Sequence, residues 1–253
     1  MKPIIFHKIA GILLILTASG CVTAGSGVTV KEDRVLQEFT GISFKADGKM
    51  NIMMANENSV EVICDDNLLP YIVTSVQNGT LFAENISGND IPGLVFNIRM
   101  KELNKIDFSG SGSIVVSNTI KGESLTAVVE GSGKLEFKAE VKKAAMNLAG
   151  GGFLSGELIA DNAKFQISGP GSMLMKGNVA NAWVGISASG EFLGSSLVCS
   201  NAEVELWGSG NCEIGAQAKL KVKISGAGNV KYKGKPKIEE NILGVGKIIF
   251  INE

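Results

Sequence analysis

The stretch LNKIDFSGSGSIVV, residues 103–116, holds the triplet Gly110-Ser111-Gly112, and that signature keeps returning along the rest of the chain. It recurs as Gly131-Ser132-Gly133, Gly150-Gly151-Gly152, Gly169-Pro170-Gly171, Ala188-Ser189-Gly190, Gly208-Ser209-Gly210, Gly226-Ala227-Gly228 and Gly244-Val245-Gly246. The closing glycines fall at 112, 133, 152, 171, 190, 210, 228 and 246, in steps of 21, 19, 19, 19, 20, 18 and 18. Self-similarity at a nearly fixed period is an internal repeat, and it governs how every local motif is read.

Apolar residues line up in columns around the triplets. Four positions before the first seven triplets stand Ile106, Ala127, Met146, Phe165, Val184, Val204 and Val222; two before all eight stand Phe108, Val129, Leu148, Ile167, Ile186, Leu206, Ile224 and Ile242. Two after come Ile114, Leu135, Leu154, Met173, Phe192, Cys212, Val230 and Ile248; four after come Val116, Phe137, Gly156, Met175, Gly194, Ile214, Tyr232 and Phe250. A spacing of two is the strand period, so each unit reads as strand, tight turn, strand, with one apolar face. Lys134, Glu136 and Lys138 show the polar alternation expected of the opposite face.

A flat antiparallel meander would leave the apolar face bare. A coil turns that face inward and stacks equivalent side chains about 4.8 Å apart, so the sequence predicts an all-β parallel solenoid with about 18–21 residues per repeat. The triplet glycines read as turn formers that need positive φ, with Ala188 the one break in the series. Cradling a phosphate would call for a following helix, whereas a strand follows.

The run LNKIDFSGSGSIVV with its seven further glycine-centred turns resembles the family of putative auto-transporter adhesins with a head GIN domain, found in Gram-negative lipoproteins. The resemblance extends over residues 39–250. It implies a right-handed parallel β-helix of the pectin-lyase-like kind and a role in adhesion, and it brings no catalytic residues with it.

Upstream, residues 1–20 carry Lys2 and Lys8, a short apolar run from Ile9 to Leu16, and then Ala18-Ser19-Gly20 before Cys21. This is the pattern of a secretory signal peptide, too short to span a bilayer. Small residues directly before a cysteine resemble the bacterial lipobox. Cys21 is therefore expected to be the lipidated residue, tying the chain to a membrane through residues 21–27 as a tether. The location that follows is the cell envelope, as an outer-membrane lipoprotein, with the surface and periplasmic sides both open.

Residues 28–102 are rich in strand signals but less regular, as expected of the N-terminal strands and cap of the solenoid formed by residues 103–253. Apolar alternation appears at 42–44, 50–53 and 60–63. A helix-like insert is expected over residues 68–76, with Asp66 or Asn67 as N-cap and Pro70 in its first turn. Asn78-Gly79 predicts a tight turn, 80–84 and 95–100 predict strands, and 88–93 a loop. At the far end, Lys247-Ile248-Ile249-Phe250-Ile251 is apolar on both faces. It is an exposed edge that a neighbour, a cap or a second copy of the chain would cover, which leaves a homo-oligomer open.

The whole chain has 253 residues, 45% hydrophobic, with 32 glycines and a formal net charge of -1, which fits one elongated β-domain and gives no basis for nucleic-acid binding. Lysines gather late, at Lys219, Lys221, Lys223, Lys231, Lys233 and Lys235. Their alternation reads either as a solvated face or as a ligand face for an anionic glycan or lipid headgroups; a protein ligand is the other partner class. The single histidine, His7, lies in the signal peptide, so the mature chain lacks the base for Ser-His or Cys-His chemistry and the usual metal ligand. No cofactor or metal is expected. Of the remaining cysteines, Cys212 falls in an inward column, and Cys199 is out of register with it, against a disulfide. Acid pairs that could cleave sugars are Asp65 with Asp66 and Glu203 with Glu205. Adjacent residues in a strand point to opposite faces, and the second pair has no acids at equivalent places in neighbouring repeats, so a non-catalytic binding module is the expectation.

Overall fold

The computed structural model describes residues 24–252, so the expected signal peptide with His7, and Cys21 after it, lie outside the described residues. The chain is a β-solenoid of about 8 turns built as one hydrogen-bonded sheet. Its first half-dozen strands are β1 (Thr29–Arg34), β2 (Gly41–Lys45), β3 (Lys49–Met54), β4 (Ser59–Asp65), β5 (Ile72–Gln77) and β6 (Thr80–Asn85). Next come β7 (Val95–Met100), β8 (Lys105–Gly110) and β9 (Ser113–Gly131). The regular coils are β10 (Lys134–Leu148), β11 (Phe153–Ile167), β12 (Ser172–Ile186), β13 (Glu191–Leu206) and β14 (Asn211–Ile224), and β15 (Val230–Lys233), β16 (Lys237–Ile242) and β17 (Ile248–Phe250) follow.

From β9 onward each coil stacks in parallel on the last. The register runs Ile114, Leu135, Leu154, Met173, Phe192, Cys212, Val230, Ile248, which is the column read two places after the triplets. Each long strand is two legs. In β10 the inward residues are Leu135, Phe137, Ala139 and Val141; then Lys142 and Lys143 both face out, and Ala144, Met146 and Leu148 resume the interior. Two outward residues in a row reverse the strand's phase, and that is where the coil bends.

The interior is filled by side chains in stacked rows. Phe165 and Phe192 rings lie 5.0 Å apart, and Phe44 sits 5.4 Å from Phe108 and 5.5 Å from Phe96. Gly156 stands in an inward column because a Cβ there would lie 2.6 Å from the Phe137 ring. Large and small residues thus alternate to hold crystal-like packing.

The triplets hold a correction. Of their glycines, Gly131 at φ 99° occupies the left-handed region, but most of the others do not. What they share is close approach: a Cβ on Gly169 would come within 2.5 Å of the Gly150 carbonyl oxygen, and one on Gly171 within 2.6 Å of the Gly152 oxygen. Glycine is required because stacked turns touch backbone to backbone.

The N-terminal strands join the same stack out of chain order. β2 lies between β6 and β8, all parallel, and β3 lies between β7 and β9. Beyond them β5 pairs antiparallel with β6, β4 with β7, and β1 with β4. The chain therefore starts at the outer edge with β1, drops inward to β2 and β3, works back out to β4 and β5, and returns through β6 and β7 to β8. The helix expected over residues 68–76 does not form. A single 3-10 turn, Leu69–Tyr71, is followed at once by β5, because Ile72, Val73 and Val76 favour a strand and the β6 edge is there to pair with it. The expected turn at Asn78-Gly79 does form, with φ of 49° and 72°. Residues 24–27 are held against the β4 end: Asn67 donates to the Ala24 carbonyl at 2.8 Å, and the Gly27 amide donates to Asp65 at 2.9 Å.

At the opposite end β16 is exposed along its whole length, and Leu243, Val245 and Phe250 are 77%, 79% and 51% exposed. Ile242, expected in an inward column, is open to solvent at this last coil.

Cys64, Cys199 and Cys212 are free thiols, all buried. Burial pushes the Cys199 thiol up to about 12, and burial raises Cys64 and Cys212 as well. Since only the thiolate attacks, residues 22–253 should leave all three thiols unmodified by a disulfide reagent at mildly alkaline pH and show three reactive thiols in denaturing guanidinium. A thiol that reacts under native conditions would mark a coil that opens locally.

Candidate functional site

The bends of successive coils form one edge of a groove that runs along the solenoid axis. On that edge Lys143, Asn162, Asn181, Asn201 and Lys219 are in register, one per coil. The asparagines form a ladder: Asn201 Nδ2 donates to Asn181 Oδ1 at 2.9 Å, and Asn181 Nδ2 donates to Asn162 Oδ1 at 3.3 Å. Such stacking satisfies part of each amide and leaves the rest facing solvent. The next position inward is small, Ala144, Ala163, Ala182 and Ala202, so the floor is shallow and apolar. The far wall is the following outward position: Lys164, Trp183, Glu203 and Lys221, again in register.

These residues enclose about 600 Å³. Trp183 lies along its own strand and covers Gly185, where a side chain would collide with the ring. Lys164 Nζ sits 4.8 Å from the centre of the Trp183 ring, a cation–π contact, and the half-exposed Trp207 ring lies 6.3 Å away.

The lysines singled out in the sequence do not share one face. Lys219, Lys221 and Lys223 are on the second leg of β14, while Lys231 and Lys233 continue its first leg through β15, and Lys235 follows in the connection to β16. Four of the six are paired across coils. Lys221 contacts Glu203 at 2.6 Å, Lys223 contacts Glu205 at 2.5 Å, Lys231 contacts Glu213 at 3.1 Å and Lys219 contacts Glu239 at 2.8 Å. The hydrogen bond from Lys221 holds the Glu203 carboxyl below the usual carboxylate range, and the bond to Glu205 raises Lys223. Lys233 and Lys235 have no carboxylate partner among the described residues and border a separate hollow with Ser195 and Gln217. Ion pairing between adjacent coils thus engages four of the six lysines.

The acid pairs are likewise engaged. Asp65 accepts from the Gly27 amide and from Thr29, and Asp66 accepts from Ser26, which pins the N-terminal segment. Glu203 and Glu205 face outward on one leg, and each accepts a hydrogen bond from a lysine of the next coil, Lys221 and Lys223. Among the described residues no group of His, Cys, Asp and Glu is placed to hold a metal ion.

Sequence reasoning passed over the asparagine ladder and Trp183. The signal was there, since Asn162, Asn181 and Asn201 are separated by one repeat each. It lies at the bend, away from the triplets on which the columns were aligned.

The model of the family described as putative auto-transporter adhesin, head GIN domain, matches residues 38–157 and 142–236. No curated protein matches the chain. Among solved structures, a putative lipid binding protein from Parabacteroides distasonis is 25% identical, with 90% of this chain and 98% of that one covered at a TM-score of 0.87. A putative adhesin from Parabacteroides merdae is 22% identical over the same shares, with a TM-score of 0.86. A putative adhesin from Bacteroides fragilis is 21% identical, covering 90% of this chain and 99% of that one at a TM-score of 0.68. The last two likenesses speak to the fold.

Proposed function

Because the chain belongs to the family of putative auto-transporter adhesins with a head GIN domain, we propose that it is a lipid-anchored adhesin of the cell envelope, a binding module that holds an extended partner without altering it. The observation that carries this reading is the groove along the solenoid axis, whose edge offers an asparagine on three successive coils and whose floor an alanine on four, and which so suits a partner that is itself a repeat. Support for a non-catalytic role comes from Glu203 and Glu205, which are committed to ion pairs with Lys221 and Lys223.

Anchoring is assigned to Cys21, which lies outside the described residues, and among the described ones no helix is long and apolar enough to cross a membrane. The Cys21→Ser variant should leave the membrane fraction, as a soluble or an unprocessed form, because two or more acyl chains would be lost together. A processed variant that stays with the membrane would show that a partner, not the lipid, holds it there.

Adhesion is tested on intact cells. Cells carrying the protein should lose it to added protease and should attach to a polysaccharide matrix better than cells lacking it. If the protein survives protease on whole cells and disappears only on lysis, it faces the periplasm and the adhesin reading fails in favour of an envelope role.

A further inference from the structure

We infer that the groove between the asparagine ladder and the Trp183 wall binds an acidic polysaccharide, a chain of uronic-acid sugars laid along the solenoid axis with one sugar per coil. This deepens the adhesin reading and rests on it. Three observations converge.

Spacing comes first. Coils in a parallel stack are about 4.8 Å apart, roughly the length of one sugar in an extended chain. A polysaccharide lying along the axis would meet Asn162, Asn181 and Asn201 in turn. Each amide, partly used by its neighbour in the ladder, still offers a donor or an acceptor to hydroxyls.

The second observation is the aromatic wall. Trp183 is half-buried beside a floor of alanines, and Trp207 adjoins it at 6.3 Å, so the two rings give the C–H faces of sugars an apolar surface next to polar partners. Indoles serve this way because they combine a large apolar face with little conformational freedom to lose.

Charge supplies the third. The lining holds Lys143, Lys164, Lys219 and Lys221 against a single carboxylate, Glu203. Lys221 is paired with Glu203 and Lys219 with Glu239, while Lys143 and Lys164 have no carboxylate partner among the described residues. These two cations lie at the β10–β11 end of the groove, Lys164 against the Trp183 ring and Lys143 in register with the asparagines, which is where a sugar carboxylate is best placed. A protein strand is favoured less, since the groove runs across the strands and presents side chains rather than a free backbone edge.

The experiment uses purified residues 22–253 with three probes: oligogalacturonate, its carboxyl-reduced neutral form, and polyglutamate, which has the charge without the rings. Oligogalacturonate should bind, weakening as salt rises, with the neutral form and polyglutamate at least about tenfold weaker. Trp183→Ala should weaken binding about tenfold, with Trp183→Phe restoring most of it. The Lys143→Gln, Lys164→Gln double variant should remove most of the salt dependence. Lys233→Gln with Lys235→Gln, away from the groove, should change nothing, and unchanged melting curves keep all variants comparable. Equal binding of polyglutamate, or oligogalacturonate binding that ignores Trp183→Ala and the lysine pair, would overturn the inference. So would no binding at all. If cells carrying the protein nonetheless attach, and do so equally with Trp183→Ala, the groove is wrong while the adhesin reading stands; if they do not attach, adhesion itself fails.

Discussion

Ile167→Asp should unfold the solenoid, or come close to it, at neutral pH. Ile167 is fully buried and stacks in register between Leu148 of the coil before and Ile186 of the coil after. A carboxylate there has no cation or donor within the interior row, and burying an unpaired charge costs about 4 kcal/mol or more. Set against a typical total of about 5–15 kcal/mol, that loss is about a quarter to four-fifths of the stability. At roughly 2–4 °C of melting temperature per kcal/mol for a domain of this size, the shift should be about 8–16 °C or larger. The right control is another isoleucine in the same strand: Ile159 is 51% exposed, and Ile159→Asn should cost about 0.5 kcal/mol or less. The sign of the pH response follows from the same burial. The buried carboxyl's pKa is raised in the folded state, so between the unfolded pKa near 4 and the folded one the native state holds the extra proton. Stability then falls as pH rises through that window and is best below it. Equal melting shifts for the two isoleucine variants would show that the inward register is wrong.

Most of the solenoid was legible because its residues repeat at the coil length. The column from Ile114 to Ile248 could be written from glycine spacing alone, and the ladder pairs those same residues. The N-terminal end was not legible in this way. Its strands carry the right alternation, but nothing in the residues of β2 says that its neighbours are β6 and β8 rather than β1 and β3. Pairing order there is decided by which edges remain open after the chain has doubled back, a tertiary matter. The misread helix has a similar cause. Leu68, Leu69, Ile72 and Val76 have helical spacing, yet the chain is short of turns before Asn78-Gly79 and the edge of β6 takes it as a strand. At the surface, the lysine alternation placed each cation outward correctly, but its neutralisation comes from the adjacent coil. Glu203 and Lys221 are 18 residues apart, one repeat step, so the pair becomes visible only when polar columns are aligned as carefully as apolar ones.

Gly150→Val should be severely damaging and the neighbouring Gly151→Val nearly harmless, although both replace a glycine in one turn. A Cβ on Gly150 would lie 2.7 Å from the backbone nitrogen and 2.9 Å from the carbonyl carbon of Gly131, with the carbonyl oxygen nearer still. Those atoms are backbone in a turn that is itself stacked, so they cannot rotate aside as a side chain would. Relief requires prising two coils apart. That breaks contacts along the whole step, and overpacking of this kind costs about 3 kcal/mol or more. At Gly151 the only atom a Cβ would approach is Cγ of Pro170, at 3.9 Å, an ordinary contact. The cost there should stay under about 1 kcal/mol. A third variant separates close approach from backbone conformation. Asparagine tolerates positive φ far better than valine does. If the turn demanded φ, Gly150→Asn would recover much of the loss, whereas a clash with the Gly131 backbone leaves Asn and Val about equally destabilised. Thermal unfolding of the three variants, followed by far-ultraviolet circular dichroism, decides between them. Rescue by asparagine would restore the reading of these glycines as turn formers. Failure of both, beside a tolerant Gly151, means that the repeat conserves glycine to let one coil rest on the next.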